Sequence, residues 1–123
     1  MPPYNIQERT FEFACRVVDF CRPLFDRGVL LRELTRQLLR AGTSIGANMQ
    51  EADGGESKPD FRHKVGIARK EALETRFWIR LLHHADKRLE PQGQPLLSEC
   101  GELIAILTTI KKNADTNNNR GAQ

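Results

Sequence analysis

The sequence predicts an all-α protein, an antiparallel up-down-up-down bundle of four helices. Three observations predict it. Apolar residues recur at steps of three and four through four separate segments; no useful length alternates apolar with polar residues as a half-buried strand does; and the breaks between segments are short runs holding Gly or Pro. Short connections between long helices favour antiparallel neighbours.

In the first segment Ile6, Thr10, Phe13, Val17, Phe20 and Leu24 mark a helix over about 5–26, with Gly28 as its stop. The second runs through Leu31, Leu34, Leu38, Ala41, Ile45, Asn48 and Ala52, a helix over about 30–53 that Gly54-Gly55 breaks. Its middle, GTSIGANMQEA from Gly42, is unusual, because each glycine inside a helix costs about 1 kcal/mol relative to alanine. Gly42 and Gly46 lie four apart on one face, flanked by Thr43 and Ala47. Such a flat strip lets another helix approach closely and gain dispersion contacts. Ser44, Asn48 and Glu51 form a polar line beside it, whose expected partners are Glu71, Glu74, Thr75 and Arg76 on helix three.

The third helix is expected over about 58–89. Ser57 is its cap, Pro59 stands in the first turn, and Asp60 follows the cap by three. Phe61, Val65, Ala68, Ala72, Thr75, Ile79 and Leu82 then alternate fours and threes over three heptads, a narrow seam. Pro91-Gln-Gly-Gln-Pro95 reads as a connector, with Pro95 acceptable in the first turn of the next helix. Leu96, Cys100, Leu103, Leu107 and Ile110 define a fourth helix over about 95–112, so residues 1–112 form the bundle and 113–123 a frayed, flexible tail.

Composition bounds the function. The 123 residues suit one domain; 39% hydrophobic and 28% charged residues suit a soluble, charge-rich helical protein. No window approaches a membrane span, and MPPYNIQERT lacks the basic and apolar regions of a secretory leader, so a cytoplasmic location is expected. Cys15, Cys21 and Cys100 show no C-x-x-C spacing and read as reduced, mostly buried thiols. Net charge is +3. Residues 58–90 carry nine basic and five acidic side chains, whereas the other three quarters of the chain are close to balance.

That excess has a direction. Arg62, Arg69, Arg76 and His83 fall seven apart and form a stripe beside the seam of helix three; with Arg80 they are the candidate nucleic-acid-binding residues, since guanidinium groups bind phosphate bidentately. The competing reading has Arg62, Arg69 and Arg76 pairing with acids on an adjacent helix or subunit. On the side away from the seam, Leu73, Phe77, Trp78 and Leu81 cluster alongside Ile67 and His84, and Phe11, Val18 and Phe25 lie off the stripe of helix one. An apolar excess of this kind marks self-association, and the four clustered residues are the candidate oligomer interface.

LLRAGTSIGANMQEA (38–52) and DFRHKVGIARKEALETRFWIRLL (60–82) resemble the small four-helix-bundle proteins first found encoded in intervening sequences of bacterial 23S ribosomal RNA genes. That family is similar in turn to the accessory variability determinant of diversity-generating retroelements, a basic protein that works beside a reverse transcriptase. The resemblance spans about 5–110 and implies a homopentameric ring or barrel of four-helix subunits with no established enzymatic activity. Met49-Gln50 departs mildly from the aliphatic and alanine residues common among relatives.

No catalytic or metal constellation emerges, and no cofactor is expected. His63, His83 and His84 lack the i, i+4 spacing of paired ligands. The positions three after Glu71 and Glu74 are Glu74 and Phe77, so the Glu-x-x-His of a di-iron bundle is missing. GTSIG falls within a helix rather than on the strand-to-helix turn of a nucleophile elbow. Two expectations remain. One is a non-enzymatic accessory protein that binds RNA or DNA, or a nucleic-acid enzyme, through a basic surface multiplied by assembly. The other is a structural adaptor for a protein partner, with the basic stripe used in subunit contacts.

Overall fold

The computed structural model describes residues 5–54 and 57–121. Gly55, half of the anticipated break after helix two, and residues 122–123 of the anticipated tail lie outside the described residues, as do residues 1–4. Four helices carry the chain: α1 (Ile6–Cys21), α2 (Val29–Asp53), α3 (Lys58–Ala85) and α4 (Glu90–Gly121), with no strand among the described residues. None of these helices is long and apolar enough to cross a membrane.

Local chemistry sets most of the ends. Asn5 accepts the Glu8 amide through Oδ1 at 3.2 Å and caps α1. This helix stops at Cys21, before the expected 26, because Pro23 has no N–H to donate; Arg22 keeps helical angles, and Arg22–Leu24 tighten into a 3₁₀ turn. Gly28 has φ +101°, which side chains with a Cβ rarely adopt, and lets the chain reverse directly into α2. Ser57 accepts the Asp60 amide through Oγ at 3.2 Å, the cap expected for α3.

Three further boundaries differ from the sequence expectation. Helix α3 ends at Ala85 rather than 89, where Asp86 turns extended and caps a 3₁₀ turn over Lys87–Leu89. The stretch 91–95 is not a connector but the start of α4: Pro91 stands in the first turn, where it removes only an amide that would be unpaired anyway, while Pro95 lies inside the helix. At the far end α4 continues past Asn113 to Gly121. Asn, Asp and Thr lower helix propensity, yet none breaks an established helix, and no Gly or Pro intervenes before Gly121.

Contacts between helices fix the topology. Gly42 and Gly46 of α2 face Val17 and Thr10 of α1; Arg40 and Glu51 of α2 pair with Glu71 and Lys64 of α3; Arg69 of α3 bonds Thr108 of α4 while Arg62 lies by Asp115. In each pair rising numbers on one helix meet falling numbers on the other, so successive helices are antiparallel. The core between them is apolar: Phe13, Val17, Leu38, Ile45, Met49, Val65, Ile79, Leu82, Leu103 and Leu107 are fully enclosed. Burying each such side chain contributes about 1.5–3 kcal/mol. Helices α1 and α4 meet only sparingly, the thinnest of the four seams.

The glycine strip works against α1. A Cβ at Gly42 would stand 2.8 Å from a Val17 methyl, and one at Gly46 would stand 3.0 Å from the Thr10 carbonyl oxygen. The polar line beside it does not reach helix three as expected. Ser44 Oγ donates to the Arg40 carbonyl at 2.6 Å and Asn48 Nδ2 donates to the Ser44 carbonyl at 2.8 Å, so α2 satisfies these two itself. Only Glu51 crosses, to Lys64 Nζ at 2.9 Å.

Candidate nucleic-acid interface along the third and fourth helices

Each heptad step along α3 lands beside α4. Arg62 Nη1 lies 3.9 Å from Asp115, Arg69 Nε donates to Thr108 Oγ1 at 2.8 Å, and His83 abuts Gly93. The row is therefore one edge, as its spacing predicts, and that edge flanks the α3/α4 seam. Its members differ in access. Arg76 and Arg80 are exposed, with no carboxylate partner among the described residues, whereas Arg62 and Arg69 are half-buried.

His83 does not belong to a phosphate-facing surface. It is only 8% exposed, and a Cβ on Gly93 would stand 2.0 Å from its Nε2, so the ring fills the space a side chain at 93 would take. Nε2 has no hydrogen-bond partner among the described residues. Sequence reasoning missed this because it placed Gly93 in a connector.

The opposite edge of α3 carries the acids. Arg40 of α2 bonds Glu71 through Nη1 at 3.2 Å and Glu74 through Nη2. The Trp78 indole N–H donates to Glu74 at 3.2 Å, and this bond together with Arg40 holds the Glu74 carboxyl below the ordinary glutamate range. Helix α3 thus sorts its charges: carboxylates toward α2, where an arginine compensates them, and guanidinium groups toward α4, where they meet a hydroxyl and one aspartate.

Beyond Arg69, α4 adds two lysines, Lys111 and Lys112, to the same edge. Sequence reasoning did not include them. An antiparallel register pairing 69 with 108 would have done so, but that register depends on where α4 begins.

The candidate oligomer face is less open than its composition suggests. Leu73 and Leu81 are half-buried, and Trp78 packs against the core. Phe77 alone of the four is exposed, at 54%, with its ring edge-on to Trp78 at 5.0 Å between centroids. On α1, Phe11 is 59% exposed beside a shallow groove floored by Ala14, Gly46 and Ala47. Val18 is also exposed, whereas Phe25 packs against the core.

Two of the three cysteines, Cys21 and Cys100, are buried, and burial pushes each thiol up to about 12. Cys15 is exposed. No group of three or more His, Cys, Asp or Glu is placed to hold a metal among the described residues.

A family model described as 23S rRNA-intervening sequence protein matches residues 4–109. Among solved structures, a protein with unknown function from the S23 ribosomal protein family of Bacteroides thetaiotaomicron VPI-5482 is 34% identical. The similarity covers 86% of this chain and 97% of that one, with a TM-score of 0.78. No curated protein matches the chain.

Proposed function

Because the chain belongs to the family of 23S rRNA-intervening sequence proteins, whose solved relative is itself described as having unknown function, we propose a role from its surface: a non-enzymatic, oligomeric accessory protein that binds RNA or DNA. One observation carries this reading, the sorting of charge across α3. Glu71 and Glu74 are compensated by Arg40 on one side, while Arg69, Arg76, Arg80, Lys111 and Lys112 leave the other side basic. A single subunit offers few phosphate contacts; a ring of copies, pentameric in the reading taken from the resemblance, multiplies them. The exposed Phe77 and Phe11 support self-association.

Binding by phosphate contacts releases counterions, so affinity falls steeply as salt rises. A gel shift with mixed RNA and DNA across a salt series tests the proposal: strong retardation at low salt and loss at high salt are expected, and no retardation at low salt overturns it. The Phe77–Trp78 pair favours a second reading, a structural adaptor that docks a protein on this aromatic surface. Partners that persist after nuclease treatment would favour it over the first.

A further inference from the structure

We propose that the cleft between α3 and the last turns of α4 binds a phosphate group, and that Asp115 is an internal anion which the ligand displaces. The proposal rests on the nucleic-acid reading for its source of phosphate, a backbone phosphodiester. The cleft has a volume of about 390 Å³ and opens to solvent. Its walls supply Arg69, Thr108, Lys111 and Lys112, and Arg62 borders it through Asp115. Of these four cations, Lys111 and Arg62 stand within 4 Å of the one carboxylate of the cleft, Asp115.

The bonds within the cleft prepare it. Thr108 donates its hydroxyl hydrogen to the Ile104 carbonyl at 2.7 Å and accepts from Arg69 Nε at 2.8 Å. This fixes the guanidinium by its inner nitrogen, and its two terminal nitrogens, the pair that grips phosphate oxygens, make no bond among the described residues. Lys111 Nζ is 2.9 Å from Asp115 Oδ1, and the same oxygen is 3.9 Å from Arg62 Nη1. Arg62 Nε is buried without a partner among the described residues. Asp115 Oδ1 thus stands between two cations where a phosphate oxygen would gain both.

Gly66 explains the shape. Its φ is unremarkable, so backbone conformation does not require glycine there, and mid-helix glycine weakens α3. A Cβ at this position would stand 3.2 Å from Lys111 Cε. The missing side chain lets the Lys111 stem lie across α3 and keeps the cleft floor open. Lys111, Lys112 and Asp115 all follow residue 109, where the family match ends, so the complete site belongs to this chain and not to the matched family region.

The test uses the full-length protein with three variants, Lys111→Gln, Asp115→Asn and the distant control Lys87→Gln, and a labelled single-stranded oligonucleotide titrated over a salt series. Inorganic phosphate is titrated separately by calorimetry. Lys111→Gln is expected to weaken oligonucleotide binding about three- to tenfold at low salt and to lower the salt slope by about one. Asp115→Asn is expected to strengthen binding about threefold or more, a gain that simple loss of structure does not produce, while Lys87→Gln leaves the slope unchanged. Oligonucleotide binding that ignores both cleft substitutions overturns the cleft and leaves the nucleic-acid reading standing. Phosphate binding lost in Lys111→Gln, without oligonucleotide binding, keeps the cleft and overturns the nucleic-acid reading. Binding of neither overturns both.

Discussion

Arg9 of α1 and Glu99 of α4 are joined by two parallel hydrogen bonds, Nε to Oε2 at 2.7 Å and Nη2 to Oε1 at 2.8 Å. The pair spans the thinnest seam of the bundle and is largely shielded, with side-chain exposures of 27% and 19%. The Arg9 hydrogen bonds hold the Glu99 carboxyl below the ordinary glutamate range, overcoming the opposing effect of burial. A carboxyl depressed in the folded state stabilises the fold above its unfolded pKa and loses that contribution as pH falls through the folded value. Stability is therefore expected to decline as pH drops through and below the ordinary glutamate range, and Glu99→Gln should flatten that decline. Urea unfolding of both proteins between neutral and acid pH checks this. At neutral pH Glu99→Gln should cost about 1–2 kcal/mol.

Gly46→Leu should lower stability by about 2–3 kcal/mol, because even a Cβ there would press on the Thr10 carbonyl, and backbone cannot swing aside. Thermal melting measures it. An unchanged midpoint would contradict the placement of α1 on the glycine strip.

A double-mutant cycle isolates the His83–Gly93 contact. Gly93→Ala alone should cost about 1 kcal/mol, since the added methyl expels a buried ring. In a His83→Ala background the same change should be neutral or mildly stabilising, because alanine outranks glycine in a helix. Additive effects of the two substitutions would mean that the ring does not sit over Gly93.

Phe77 separates assembly from folding more cleanly than its neighbour. Phe77→Ser should leave monomer stability within about 0.5 kcal/mol, as is usual for an exposed position, while reducing particle mass in light scattering. Trp78→Ala should do both kinds of damage, for its indole also packs on the core and donates to Glu74. A Phe77→Ser particle of full mass would remove this face from the interface.

Thiol reactivity should divide one to two. At pH 8, Cys15 is exposed and should react with a disulfide reagent within minutes; Cys21 and Cys100, buried with thiols pushed up to about 12, should react only when the protein unfolds. Absorbance titration with and without denaturant counts them.

Periodicity and capping were legible because they depend on neighbours in sequence. The seam of α3 runs through Val65, Ala68, Ala72, Thr75, Ile79 and Leu82, all buried, and Ser57 caps the helix as its spacing with Asp60 implies. The glycine strip announced a close approach, although only the fold says that Val17 and Thr10 fill it. What stayed hidden depends on register between distant segments. The stretch 91–95 read as a connector, with Pro95 in the first turn of the helix that follows, and that moved the start of α4 by five positions. With it went the burial of His83 and the place of Lys111 and Lys112 beside Arg69. Ser44 and Asn48 misled for another reason: a short polar side chain on a helix can bond the carbonyl four residues back, which no distant partner need supply.

The sparse meeting of α1 with α4 bears on how the chain reaches this shape. Every extensive helix pairing joins segments adjacent along the backbone, so the loops that must close are short and their entropic cost is small. Helical hairpins can therefore zip up independently, and the closure of α1 on α4, which the Arg9–Glu99 pair clasps, comes last. Folding should be fast and nearly insensitive to disruption of that final clasp, which would show itself in the unfolding rate instead.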